Sequence, residues 1–509
     1  MTILFDRNYR AKLNLTSLPA KLTKLSRGQI SLIVVVIALG LRGLYAWWAV
    51  ADFWGDAYHH WLISRLTLNH HWRYTDYKGL ETVWLPGYHY LVSAVMVLAG
   101  RYDLGPAHLL NLGLGSAACG LTAWLSQTFS GKSLTGLLAG LALALTPWHI
   151  AYSLINMPEV LTGLLLLLLV LAAYREHSFG LGLLAFGGAL TRHELTLAMV
   201  IIALWLVGRR RLRPALALAT GVGLALSGWS WWSWHNSGDP WLWWSRYQAL
   251  ALWDAQFWRS NATIWADVAA LWRSAVAAWP LLPWLGLVAL VSLKRQRPSG
   301  ITLLLLGLSG GHAFFLALGF VAGHLPVANP RYVLGILPLW VMLLVNSLTW
   351  RRELIAVLAL VAGQALWNQL PELRDAPYII APERAAGHFL AQLDQPEANF
   401  WVDAPVIIYY SGLAPDRFFS SEQVAPPAGR SQVDLPDRVV SNLAERKISY
   451  ILWEDVSYTL TGQVWPELAE RRPFVANGYH FEPIFHYDGW ETQYGARPTT
   501  IWQMSQVGP

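Results

Sequence analysis

Residues 30–50 read ISLIVVVIALGLRGLYAWWAV, an apolar run about as long as a full bilayer span. Basic residues precede it (Arg7, Arg10, Lys12, Lys21, Lys24 and Arg27), and Ala49-Val50-Ala51 resembles a small-x-small cleavage site. A signal peptide has a shorter apolar core than this, so the run is expected to remain as an uncleaved first membrane helix. Further long apolar runs fill residues 1–370, whereas residues 371–509 read like an ordinary soluble domain. The expected fold is therefore a polytopic α-helical membrane protein with a C-terminal α/β domain, in which Phe400–Tyr410 and Ser449–Trp453 read as strands and Val439–Lys447 as a helix.

Composition agrees. The 509 residues are 55% hydrophobic and 13% charged, about half the charge of a soluble protein. Many of the 30 tryptophans lie at the ends of apolar runs, as in interfacial belts. The net charge of +6 comes from short basic clusters between apolar runs and does not point to nucleic acid. Cys119 is the single cysteine, which excludes an intramolecular disulfide.

The basic clusters set the orientation. They are the N-terminal segment, Arg209-Arg210-Arg211 with Arg213, Lys294-Arg295 with Arg297, and Arg351-Arg352. Each adjoins the end of an apolar run and is expected in the cytoplasm. About eleven spans follow, at 30–50, 106–127, 133–150, 158–174, 178–191, 194–207, 214–234, 272–293, 300–323, 332–349 and 353–370. The first outer loop (within 51–100), the segment around Glu159 and the C-terminal domain then lie outside. The stretch 86–100 begins Pro86-Gly87 and carries Tyr88, His89 and Tyr90. It is short for a span and is read as interfacial or partly inserted. Charged residues between 178–191 and 194–207 fit a hairpin tip that lines a cavity.

Four segments could carry chemistry. Asp56 follows the first span closely, beside Tyr58, His59 and His60, which are expected to hydrogen-bond or orient it. It is either a helix N-cap or a carboxylate facing a cavity at the bilayer surface. Glu159 follows Pro158 at the head of an apolar helix. It either suits helix initiation or supplies a second carboxylate on the same face. Arg192 and Glu194 interrupt an apolar region; they pair with each other, or Arg192 serves an anionic headgroup. Arg331 sits at the outer end of a span, where it either snorkels to the interface or binds phosphate.

The order of these segments resembles the GT-C glycosyltransferases, in particular the protein O-mannosyltransferase and lipid A aminoarabinose transferase group. The matching stretches are Gly55-Asp56-Ala57-Tyr58, Glu81 to Tyr88, Pro147 to Glu159, Thr191 to Glu194, and Pro330-Arg331-Tyr332 through Pro338. Asp403 to Gly412 is similar to the soluble tails of bacterial relatives. The resemblance covers most of the chain through short, degenerate motifs. It implies a polyprenyl-phosphate-linked sugar donor and a glycan, lipid or protein acceptor, handled at the outer face of the plasma membrane. It also implies that Asp56 is the catalytic base of an inverting transfer. Arg331 and Arg192 would meet the lipid phosphate, with Lys78 and His89 behind them. Glu81, Glu159, Tyr58 and His59 would bind substrate or orient groups around it. Many relatives have Asp-Glu where this chain has Asp56-Ala57. That departure weakens the protein-mannosylating branch and a metal-site reading, so no metal is expected to carry the chemistry. A lipid-linked sugar transporter or flippase is the alternative, and a membrane scaffold with a sugar-binding tail is a third. No inverted repeat supports the transporter.

Overall fold

The structure is a computed structural model. It describes residues 25–48, 52–77, 79–81, 84–246, 299–321, 331–347, 380–393, 397–424, 435–454, 464–489 and 498–507, with isolated positions between. Lys78, the expected spans 272–293 and 353–370, and the expected boundary at 370/371 lie outside the described residues.

The first helix, α1 (Arg27–Trp48), presents Leu32, Val36 and Leu44 outward and buries Ile30, Val34 and Ala38. Outward leucines suit a lipid-facing surface, where apolar side chains lose nothing by exposure. Three described helices are long and apolar enough to cross a membrane: Arg27–Trp47, Gly105–Ser130 and Gly300–Gly319. Shorter apolar helices cover Pro86–Ala99, Ser133–Ala144, Glu159–Tyr174, Ser178–Ala189, His193–Gly208 and Leu337–Ser347. The figure of about eleven spans therefore rests on the sequence alone.

Two expected spans are divided. In place of 133–150 there are α5 (Ser133–Ala144) and a short α6 (Pro147–Tyr152). Pro147 starts a new helix and disfavours helical geometry at Thr146. In place of 332–349 there are α12 (Arg331–Leu334) and α13 (Leu337–Ser347), separated at Gly335-Ile336 ahead of Pro338.

The other elements that frame the site are α2 (Gly55–Asn69), a small hairpin of β1 (Thr75–Asp76) and β2 (Gly79–Leu80), α3 (Pro86–Ala99) and α4 (Gly105–Ser130). They are followed by α7 (Glu159–Tyr174), α8 (Ser178–Ala189), α9 (His193–Gly208), α10 (Leu212–Ser237) and α11 (Gly300–Val321). The Gly87 amide donates to the Leu190 carbonyl at 2.7 Å, and a Cβ on Gly87 would lie 2.7 Å from that oxygen. Only glycine allows α3 to start this close to the α8–α9 tip.

The C-terminal part holds α14 (Ala381–Gln392), β3 (Asn399–Trp401), α15 (Pro405–Ser411), β4 (Phe418–Phe419), α16 (Ser421–Val424) and α17 (Leu435–Glu445). It continues with β5 (Ile448–Glu454), β6 (Phe474–Ala476), β7 (Tyr479–Tyr487) and β8 (Thr499–Gln506). Six strands form one mixed sheet in the order β4-β3-β5-β8-β7-β6. The pairs around β3 are parallel and those around β8 antiparallel. This matches the expected α/β class. The expected helix 439–447 is α17, shifted, and the expected strand 449–453 is β5. The expected strand 400–410 is corrected: it ends at Trp401, and Pro405 opens a helix instead. Proline fits the first helical position, and the following Val406, Ile407 and Ile408 bury their side chains.

That helix, α15, packs on α2. Tyr58, Trp61 and Leu62 share one apolar cluster with Val406, Ile407, Ile408 and Phe400. The Tyr77 hydroxyl donates to the Asp403 carbonyl at 3.0 Å. The C-terminal part thus rests directly on the helix that carries Asp56.

Candidate active site

Asp56 lies in the first turn of α2. Trp54 occupies the N-cap position in extended conformation, and no side chain makes a cap hydrogen bond. The N-cap alternative for Asp56 is thereby removed. Its carboxylate instead accepts a hydrogen bond from Arg331 Nη1. The Asp56 side chain is 38% exposed and that of Arg331 21%, so the pair sits at a partly open surface. The Arg331 guanidinium also lies 5.1 Å from the Tyr332 ring centroid. Partial burial pushes the Asp56 carboxyl up. The charge and hydrogen bond of Arg331 outweigh that push, and His59 and Arg192 add to them, leaving it below the usual carboxylate range.

A second charged group adjoins the first. Arg192 Nη2 lies 3.1 Å from Glu194 Oε1 and 3.7 Å from Glu159 Oε1. The expected Arg192–Glu194 pairing is present, and Arg192 adds Glu159 to it. The Glu159 side chain is 2% exposed, and neither carboxylate oxygen makes a hydrogen bond to the described residues. Asp56, Arg331, Arg192 and Glu159 come from four separate segments and carry alternating charge.

The remaining sequence candidates lie elsewhere. The neighbours of Asp56 were expected to hydrogen-bond or orient it, and they do not hydrogen-bond it. The Tyr58 hydroxyl donates to the Asp52 carbonyl (3.2 Å) and meets the Tyr410 hydroxyl (3.0 Å), so it faces the C-terminal part. His59 Nε2 lies 2.8 Å from Asp76 Oδ2. His60 Nδ1 lies 2.7 Å from His89 Nε2, and burial pushes the His60 imidazole well below its ordinary range. His89 is buried between His60 and the Tyr74 hydroxyl, 2.8 Å away. Held there, it is not a cation behind Arg331. Glu81 Oε1 accepts from the Trp84 amide at 2.8 Å. The ligand atoms of His59, Asp76 and Glu81 all lie within 4.8 Å of one another, the one group of three among the described residues that could hold a metal ion.

Sequence reasoning missed the frame beneath Asp56. Asp52 is buried; its Oδ1 accepts from the Asn156 amide (2.9 Å) and its Oδ2 meets His108 Nε2 (2.6 Å). Asn156 Nδ2 donates to the Ala57 carbonyl at 2.8 Å, and its Oδ1 accepts from the Tyr88 hydroxyl at 2.9 Å. Asn111 Nδ2 reaches the Tyr88 hydroxyl and the Met157 carbonyl, each at 2.9 Å. This network ties the segment before Glu159 to the turn that holds Asp56. A lone Asn between Ile155 and Met157, within an apolar stretch, was the available sign.

A small cleft of about 20 Å³ opens beside these charges, between α7, α9, α11 and the 335–336 turn. Thr162, Leu166, Leu195 and Leu308 line it, with Glu194 and His312 as its ionisable groups.

No protein-family model matches the sequence, and no curated protein matches it significantly. Solved structures do resemble it. ArnT from Cupriavidus metallidurans bound to undecaprenyl phosphate aligns with TM-score 0.56 at 12% identity, over 92% of this chain and 97% of that one. The Archaeoglobus fulgidus oligosaccharyltransferase in complex with Zn and sulfate aligns with TM-score 0.55 at 13% identity, over 92% and 72%. Archaeal AglB from the same organism, with an inhibitory peptide and a dolichol-phosphate, aligns with TM-score 0.52 at 12% identity, over 94% and 74%. These neighbours are GT-C superfamily members. The chain has their fold, and the resemblance read from short motifs is borne out at that level.

Proposed function

We propose that this chain is an inverting membrane glycosyltransferase. It moves a monosaccharide from a polyprenyl-phosphate carrier to an acceptor hydroxyl on a glycan, lipid or protein. One observation carries the reading: the Asp56 carboxylate is paired with the Arg331 guanidinium, beside Arg192 and Glu159. A base and a phosphate-binding cation are the two parts that such a transfer needs.

In this mechanism Asp56 takes the proton of the acceptor hydroxyl as its oxygen bonds to the anomeric carbon. The hydroxyl becomes acidic only as that bond forms, so a carboxylate of low basicity suffices. The leaving group is a lipid phosphate whose growing charge is met by Arg331, with Arg192 as a second cation. As Arg331 turns its charge toward phosphate, Asp56 regains basicity. Glu159 holds Arg192 in place.

The site faces the extracytoplasmic side of the plasma membrane, with the N-terminus in the cytoplasm. Residues 1–370 form the transmembrane catalytic part. Residues 371–509 form the extracytoplasmic α/β part, seated on α2, where it helps to select the acceptor.

Purified protein should release free polyprenyl phosphate from one member of a panel of polyprenyl-phosphate monosaccharides when an acceptor extract is supplied. Absence of release across the panel would remove the reading. Movement of the intact lipid across reconstituted vesicles, with no transfer, would favour the flippase instead.

A further inference from the structure

We propose that His312 is a positioning residue for Arg331: it holds the backbone of α12 and so keeps the Arg331 guanidinium on Asp56 and within reach of a donor phosphate. The inference rests on the transferase reading for its kinetic readout alone.

Helix α11 reads GITLLLLGLSGGHAFFLALGFV, and His312 is its one ionisable residue. A buried imidazole in an apolar helix is costly unless a partner takes its N–H. The partner is a backbone group of another segment. His312 Nε2 lies 2.9 Å from the Tyr332 carbonyl oxygen, and both residues are buried. A carbonyl only accepts, so Nε2 carries the proton and donates.

The break after α12 explains why that carbonyl takes a bond from outside its own helix. In a continuing helix the Ile336 amide would donate to Tyr332, four residues back. Here the Ile336 amide donates to Val333 instead, at 3.2 Å. His312 supplies from α11 the bond that the break diverts, as backbone polar groups at membrane depth require.

α12 is a single turn, Arg331–Leu334, and one turn does not hold its own conformation. Its surroundings must fix it. Gly335 lies against α7: a Cβ there would sit 2.9 Å from Thr162 Cγ2, on a β-branched side chain with little freedom to move away. Val333, Leu334 and Ile336 are buried among apolar neighbours. Apolar burial is non-directional, whereas the bond from His312 is directional and acts on the residue next to Arg331. A small rotation of this turn would swing the long Arg331 side chain off Asp56.

His312 also shares the small cleft between α7, α9 and α11 with Glu194, which pairs with Arg192. The two ionisable groups of the cleft thus each support one guanidinium: Glu194 that of Arg192 by direct pairing, His312 that of Arg331 through the backbone.

The test compares full-length wild type with His312→Phe, which keeps a ring without a donor, and His312→Gln, whose amide nitrogen falls near the place of Nε2. With a polyprenyl-phosphate monosaccharide that wild type turns over, His312→Phe should lower kcat about 10²-fold, the scale of a misplacement of about 1 Å. The acid limb of its pH–rate profile should move to higher pH, because Asp56 loses the lowering influence of Arg331. His312→Gln should restore most of both. Unchanged turnover with a coincident acid limb in His312→Phe, or equal loss in His312→Gln, would overturn the proposal. His312→Asn, whose amide is too short to reach Tyr332, replaces His312→Phe if that variant does not fold. A wild type that turns over no donor removes the transferase reading instead, and thermal midpoints then decide the inference. His312→Phe should lower the midpoint less in an Asp56→Ala background than in wild type, because the pair it positions is already gone. Equal losses in both backgrounds would overturn it.

Discussion

Arg331 donates a hydrogen bond to Asp56 across 275 residues of chain, joining the first turn of α2 to the first residue of α12. The sequence placed an acid and a base on the same side of the membrane. The fold makes them one ion pair, so substitution at either residue should be felt at the other.

Arg331→Ala should weaken the binding of a polyprenyl-phosphate sugar, because its phosphate loses a charge-assisted partner. Arg331→Lys should restore only part of it, since the planar fork is lost. Equilibrium binding of a labelled donor checks this; unchanged affinity in Arg331→Ala would leave Arg331 a partner of Asp56 and nothing more.

The pair also sets the pH dependence. The Asp56 carboxyl lies below its ordinary range because Arg331 outweighs the upward push of burial. A depressed carboxyl keeps its charge as pH falls and loses it only below the ordinary carboxylate range. The acid limb of the transfer rate in wild type should therefore lie low. In Arg331→Ala the lowering influence is gone and burial remains, so that limb should move to higher pH. A pH–rate profile of both proteins reads the shift, and coincident acid limbs would contradict it.

Asp52 lies only four residues before Asp56 and matches the family position less well, so from sequence its Asn variant is expected to retain activity. The structure adds a role in stability. Asp52 is buried and holds both His108 and the Asn156 amide. Asp52→Asn should cost about 1–3 kcal/mol of stability through the lost charged hydrogen bond. A lowered thermal midpoint is the expected result, and an unchanged midpoint would show that the network bears no load.

Much of the helical part was legible because apolar runs of bilayer length admit few readings. The paired charges Asp56, Glu159, Arg192 and Arg331 were legible as members of a site, though not as partners. What escaped the sequence depends on long-range contact. Pro147 and Gly335 divide apolar runs that read as single spans. The stretch Phe400–Tyr410 alternates little and is rich in β-branched and aromatic residues, yet burial against α2 and Pro405 make its second half a helix. His59 and His89 are polar residues beside the site in sequence, and their partners Asp76 and His60 turn them away from Asp56. Asn156 stands out in the sequence only as a lone amide in an apolar stretch; its role appears when Ala57, Asp52 and Tyr88 surround it.

The orientation has its own test. Reporter fusions at Gly478, in the β6–β7 turn, and at Arg211, between α9 and α10, should report opposite sides of the membrane. The same side for both would invalidate the proposed topology and place the site on the wrong face for an external acceptor.

The central claim is that Asp56 is the catalytic base, and Asp56→Asn tests it most directly. Asparagine keeps the size of the side chain and can still accept from Arg331, but it does not take up the acceptor proton. The turn itself should survive, because Trp54, not Asp56, occupies the cap position. With the cognate polyprenyl-phosphate sugar, turnover should fall by about 10²–10⁴-fold while donor binding is largely kept. Near-normal turnover in Asp56→Asn would contradict the account and remove Asp56 from the chemistry.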